Sequence, residues 1–295
     1  MRYRSIPAVA VMLLVTAWVG ASALGAEDRL LTRTVEVGGD ERTYHVGLPE
    51  GFDPDATYWP LVFAHGGGGR PQTNFHSVSL RRQVAEQSLP AIVVLPEFVT
   101  ADKQVSRFPA LGEDAFLKAV LEQVRGEYRL QPKILLTGYS MGGQFSHRFA
   151  LLNPELVQAC AAFAAGTWTT PDGRLLIEQF GAVADPDVFL RDRENVAKVP
   201  ARLSDLFDER VAGVAGRRAA AGVERVPFLV MCGALDTRHE IAVEFAKSLL
   251  EAGVDVETEW PETAHGGRRP ENEGEFAKYA ERAVRFFRAH TEERQ

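Results

Sequence analysis

Residues 133–143 read Lys-Ile-Leu-Leu-Thr-Gly-Tyr-Ser-Met-Gly-Gly. Ile134, Leu135 and Leu136 form a short apolar run, of the kind that makes a strand buried on both faces of a parallel sheet. After Ser140, Phe145, Phe149 and Leu152 recur at helical spacing until Asn153-Pro154 ends the segment. Between run and helix lies Gly138-x-Ser140-x-Gly142. At a strand-to-helix junction this pattern is a nucleophile elbow, a strained turn that lifts a serine hydroxyl above the sheet. The pattern alone is not specific; a glycine-rich junction with a surface serine is the plain alternative, and the rest of the chain decides between them.

Upstream, Arg33–Val37 and Arg42–Leu48 read as strands joined by the hairpin signal Gly38-Gly39-Asp40. Pro60–Ala64 is a strand that ends in His65-Gly66-Gly67-Gly68-Gly69, and Ala91–Leu95 is another. Leu117, Val120, Leu121, Val124 and Tyr128 mark an amphipathic helix before the elbow strand. Downstream come the runs Ala159–Ala165 and Val226–Cys232, a helix over Ile241–Leu250, a strand over Val254–Trp260, and a closing helix carrying Phe276, Tyr279, Ala280, Val284 and Phe287. A hairpin followed by strands alternating with helices implies an α/β fold: a mostly parallel sheet with helices on both faces.

Residues 167–225 interrupt the alternation. Their 59 residues far exceed an ordinary connection, are charged, and carry a helical face at Leu203, Leu206, Phe207 and Val211. The segment is expected to lie over the carboxyl edge of the sheet as a cap-like insertion; an insertion remote from the site is the alternative.

Residues 1–26 read as a signal peptide. Arg2 and Arg4 precede a twelve-residue apolar stretch, Ala8–Val19, and small residues follow. The stretch is short for a membrane span, although an uncleaved anchor is the alternative. A secreted or periplasmic location is therefore expected, with one domain over 27–295 and no membrane partner after cleavage. The formal charge of −7 disfavours nucleic acid as a partner. Cys160 and Cys232 both sit in core-type strands and are expected to be free, because adjacent parallel strands bridge poorly.

A serine hydroxyl is a weak nucleophile at neutral pH unless a base takes its proton, an acid orients the base, and donors meet the oxyanion. On an elbow the acid and the histidine follow the serine in the chain. His147, His239, His265 and His290 follow it. His147 lies on the elbow helix and His290 at the far terminus, while His239 stands only three residues beyond the best acid. His265, in Thr263-Ala264-His265-Gly266-Gly267, follows a strand and suits the base. Asp236 follows Val226–Cys232 in a tight loop at the carboxyl edge and suits the acid, or else caps the next helix. Met141 and Gly67, with Gly68 next, suit the oxyanion N–H groups. His65, Tyr139 and Trp168 stand beside these positions as candidate substrate contacts. A phosphate-cradle reading of the glycine loop lacks the Lys-Ser/Thr that it needs, and no metal-ligand spacing or cofactor motif is visible.

With His65-Gly66-Gly67-Gly68-Gly69, Gly138-Tyr139-Ser140-Met141-Gly142-Gly143, Asp236 and His265 in order, the chain resembles the α/β-hydrolase superfamily. Within it, it looks most like secreted esterases of the polyhydroxybutyrate depolymerase and feruloyl esterase group, including Arg42-Thr43-Tyr44, Leu48-Pro49 and Trp59-Pro60-Leu61-Val62. The resemblance implies a serine esterase acting on a small-molecule or oligomeric ester through an acyl-enzyme, with no cofactor. It specifies mechanism better than substrate: a serine peptidase acting on short peptides, or a silent binding protein on the same fold, shares the pattern.

Overall fold

The computed structural model of the chain describes residues 29–67, 70–98, 113–178, 180–183, 189, 192–198, 217–265 and 273–292. The expected signal segment, Gly68 and the Leu203–Val211 helical face lie outside these residues.

β1 (Arg29–Val37) and β2 (Asp40–Leu48) form the expected antiparallel hairpin, with Val37 opposite Asp40. Gly38 and Gly39 make its two-residue turn at φ 64° and 92°, the left-handed values that such turns demand. β2 then pairs antiparallel with β4 (Ala91–Pro96), and from there the sheet is parallel. Its remaining strands are β3 (Trp59–Ala64), β5 (Ile134–Tyr139), β6 (Val157–Phe163), β10 (Phe228–Met231) and β11 (Val256–Glu259). The eight-stranded order is β1-β2-β4-β3-β5-β6-β10-β11. The chain leaves β3 to one side for β4 and returns to the other side for β5, so a switch point lies between β3 and β5. In open α/β sheets that is where a ligand crevice forms, beyond the carboxyl ends of the strands.

Residue parity along the strands sorts the helices. Phe63, Thr137 and Phe163 face a small cavity shared with His76 and Leu80 of α1 (Phe75–Glu86) and with Phe276, Tyr279 and Ala280 of α6 (Glu273–Glu292). Gly138, one residue on, faces the other way, toward α3 (Met141–Leu152). On that side α3 lies against β3, β5 and β6, and α5 (His239–Glu251) against β10 and β11. Helices therefore cover both faces. α2 (Glu113–Glu127) runs between β4 and β5.

The approach of α3 to the sheet is close enough to dictate its sequence. A Cβ on Gly142 would lie 1.8 Å from the Ala64 carbonyl oxygen, which excludes every residue but glycine there. The core strands are fully buried, as their unbroken apolar runs require. Cys160, in β6, and Cys232, just past β10, are free and buried.

The first described part of the 167–225 segment is stranded. β7 (Thr167–Thr169), β8 (Leu175–Ile177) and β9 (Gly181–Val183) make a three-stranded antiparallel sheet, followed by a short helix, α4 (Arg193–Lys198). Gly173, at φ 93°, stands in the turn between β7 and β8. β7 docks on α3 through buried polar groups: Arg148 donates to the Thr167 and Thr169 hydroxyls at 2.9 Å each, and Thr167 donates to Gln144.

Candidate active site

Ser140 follows β5 directly and caps α3, with φ 56° and ψ −111°. Two hydrogen bonds hold this unusual geometry: the Ser140 N–H donates to the Phe163 carbonyl at 2.9 Å, and its own carbonyl accepts the first bond of α3 from Gln144 at 3.0 Å. Strand bonding on one side and helix bonding on the other thus enforce the turn. Met141 opens α3 and lies against the loop after β3: a Cβ on Gly67 would meet the Met141 sulfur at 2.6 Å. The two expected oxyanion segments are neighbours, with a glycine where the chains pass. Gly68 lies outside the described residues.

Asp236 and His265 come from loops after β10 and β11. These loops are laced together by Ala234 N–H to Pro261 O at 2.7 Å and Leu235 N–H to Thr263 O at 2.9 Å. Across that seam His265 Nδ1 meets Asp236 Oδ2 at 2.7 Å. A carboxylate only accepts, so Nδ1 carries the proton and donates, leaving Nε2 as the basic nitrogen. The Asp236 side chain is 1 % exposed and that of His265 25 %. Burial pushes the Asp236 carboxyl up, but its hydrogen bond to His265, the imidazole charge and the Arg238 guanidinium outweigh burial and hold it below the ordinary carboxylate value. Asp236 does not cap α5, whose N-cap is Arg238; its Oδ1 instead accepts from the Arg238 N–H at 3.1 Å and the Arg238 guanidinium at 3.2 Å.

Tyr139 ties this pair to the serine turn. Its ring stacks on His265, with centroids 5.1 Å apart, so the imidazole stands beside the residue that precedes Ser140. The ring also stacks on His76 at 3.9 Å. Tyr139 is buried, and its ring packs on His265 and His76 rather than opening onto solvent as a substrate contact.

The other two expected substrate contacts are placed differently. His65 is buried, with both ring nitrogens engaged: Nδ1–H donates to the Gly66 carbonyl at 2.8 Å and Nε2 accepts from the Phe98 N–H at 3.0 Å. It pins the glycine loop to the chain leaving β4. Burial also lowers its pKa, which keeps it neutral. Trp168 has no exposed surface; it stacks on Phe245 of α5 at 4.5 Å and leans on His147, which makes it a packing residue. His147, set aside as a base from its place on the helix, clamps β7 to α3: Nδ1–H donates to Gly143 O and Nε2 accepts from the Thr169 N–H.

Two participants were not legible in the sequence. His76 lies in α1, a helix without clear amphipathic periodicity. Arg238 stands two residues past Asp236, and that spacing is the only local signal for it. Among the described residues, no cluster of His, Cys, Asp or Glu suits a metal, and no helix is long and apolar enough to cross a membrane.

Solved structures resemble this chain closely in fold. A ferulic acid esterase superposes with a TM-score of 0.63 at 19 % identity, over 88 % of this chain and 97 % of its own. An esterase of the fungus Rhizomucor miehei gives 0.57 at 16 % identity, covering 89 % and 86 %. FphF, a fluorophosphonate-binding serine hydrolase of Staphylococcus aureus, gives 0.54 at 18 % identity, covering 90 % and 97 %. By sequence, no curated protein matches. The family model for the alpha/beta hydrolase fold matches residues 61–267, from β3 through the His265 loop, and the chain belongs to that family.

Proposed function

We propose that the protein is a carboxylic ester hydrolase that works through Ser140, His265 and Asp236. The observation that carries this reading is the 2.7 Å Asp236–His265 pair, stacked against the residue before a serine held in a strained strand-to-helix turn. His265 Nε2 takes the Ser140 proton as the hydroxyl attacks the ester carbonyl. Asp236 orients the imidazole and stabilises the imidazolium. The backbone N–H groups of Met141 and Gly67, with Gly68 beside them, meet the oxyanion. The alcohol leaves with the proton from His265, and water then attacks the acyl-enzyme with the same base. No cofactor is required. The ester reading is supported by the esterases among the similar folds. The substrate is a small or oligomeric ester rather than nucleic acid or membrane lipid. Residues 1–26 are a signal peptide that exports the protein, which N-terminal sequencing of the periplasmic or secreted form tests.

Turnover of p-nitrophenyl acetate or butyrate by the wild type and by Ser140→Ala tests the core of this proposal. Loss of roughly 10³-fold or more in kcat is expected for the variant. Equal rates, or an unlabelled Ser140 after treatment with a fluorophosphonate probe, would remove the serine from the reaction.

A further inference from the structure

The hydrogen-bond partners of Asp236 do not end at His265. Arg238 folds back from the start of α5, and its guanidinium reaches Asp236 Oδ1 at 3.2 Å. On its other side, Nε stands 3.9 Å from Glu178 Oε2, inside ion-pair range but beyond hydrogen-bond reach. That Nε is buried without a hydrogen-bond partner. The Asp236, Arg238 and Glu178 side chains are 1 %, 9 % and 7 % exposed. One cation is thus shared between two buried carboxylates, one of them the partner of His265. Glu178 directly follows β8, so it belongs to the three-stranded sheet rather than to the hydrolase core.

We infer that Arg238 is a positioning residue that ties the triad acid to Glu178, and that this tie sets the basicity of His265. The inference rests on the catalytic reading above. The physics is a competition for one positive charge. The more closely Arg238 serves Asp236, the less of the Asp236 charge reaches the imidazole, and the weaker His265 is as a base. Glu178 draws the guanidinium away and returns that charge to the His265 side. In a buried site such charges act over several ångströms with little screening. The remaining groups that face the pair are fewer. Cys232, just past β10, contacts Asp236 as a neutral thiol whose pKa is pushed up mainly by burial. Tyr139 of β5 stacks on His265, and behind Tyr139 stand His76 of α1 and Tyr279 of α6. His76 is held neutral by burial, with the His265 charge adding to the effect, so it supplies no competing cation. Among these described residues, Arg238 and Glu178 are the charged groups, apart from the pair itself.

The arrangement makes the three-stranded sheet part of the catalytic electrostatics. A shift of β8 relative to α5 would change the distance from Glu178 to Arg238 and, through it, the pH at which the base is free.

Opposite charge removals test this. The midpoint of His265 is read twice in the full-length protein: from the acid limb of kcat/KM with p-nitrophenyl butyrate, and from an NMR titration of the labelled imidazole assigned by comparison with His265→Gln. Arg238→Gln is expected to raise the midpoint by about one pH unit, and Glu178→Gln to lower it by roughly half a unit. Arg238→Lys, which keeps the charge, is expected to stay near wild type. A purely structural role would shift stability without moving the two midpoints in opposite directions. Midpoints that do not move, or that move the same way, overturn the inference. Should Arg238→Gln not fold, Glu178→Gln alone decides by the same criterion. If the wild type turned over no ester, the catalytic reading would fail, while the NMR titration would still report on Arg238.

Discussion

A serine at φ 56° and ψ −111° occupies backbone space that only glycine enters without cost, about 1–3 kcal/mol for any other residue. The fold carries that cost because Ser140 N–H is bound to β6 and Ser140 O to α3. In the proposed mechanism the strain and the reactivity have one origin: the turn that strains the backbone is the turn that presents the hydroxyl. It follows that Ser140→Gly is more stable than the wild type, by about 1 kcal/mol in denaturant titration, whereas Ser140→Ala is not, since alanine keeps the Cβ. Both are inactive. A Ser140→Gly variant less stable than wild type would show that the hydroxyl itself holds the turn. The reach of sequence is long at this scale. Gly138, Ser140 and Gly142 act within one turn of chain, so their spacing reports their geometry. Arg238 is legible only afterwards, because an arginine two residues from an aspartate says nothing about Glu178 until β8 is in place.

At the scale of elements, legibility follows burial chemistry. The apolar runs of β3 to β6 and β10 identify themselves because both faces are buried. α1 escapes the same reading because it buries His76, Ser77, Ser79, Arg81 and Gln83, so its inward face is polar and its period is masked. Two of those side chains satisfy each other within the helix, Arg81 donating to the Ser77 hydroxyl at 2.8 Å. The opening of the 167–225 segment carries no strand signal of its own: its residues form strands because β7 finds Arg148, Gln144 and His147 waiting on α3. Trp168 is the apolar counterpart of these bonds. Its truncation in Trp168→Ala is expected to cost about 3–5 kcal/mol, read as a lower denaturation midpoint. KM for a p-nitrophenyl ester should stay near wild type under conditions where the variant remains folded. A selective rise in KM with stability intact would instead return Trp168 to the substrate pocket.

Across the whole molecule, three buried imidazoles, His65, His76 and His147, are held neutral, in each case mainly by burial. Their folded pKa values lie below the ordinary value of 6.5. As pH falls through 6.5 the unfolded chain takes up protons that the folded chain refuses. Stability therefore declines below about pH 6.5, by up to about 1.4 kcal/mol per pH unit for each histidine, and is insensitive to these groups above it. Asp236 acts in a lower window: its depressed carboxyl contributes stability that is present above about pH 4 and lost as pH falls through its folded value. Urea midpoints are expected to hold between pH 7.5 and about pH 6.5 and to fall from there to pH 5, and His147→Gln to flatten that slope. A flat profile for the wild type would show that these imidazoles can ionise in place.

By itself the sequence determined the strand-to-helix turn at Ser140, the hairpin, the parallel core and the carboxyl-edge loops that bear Asp236 and His265. Each depends on interactions within a dozen residues or on a hydrophobic period, and both are written locally. Only the tertiary structure decided that these two side chains meet, that Tyr139 stacks on His265, that His65 and Trp168 turn inward, and that Arg238 stands between Asp236 and Glu178. Those contacts join residues separated by whole βα units, and their geometry exists only once the sheet has brought its carboxyl edge together.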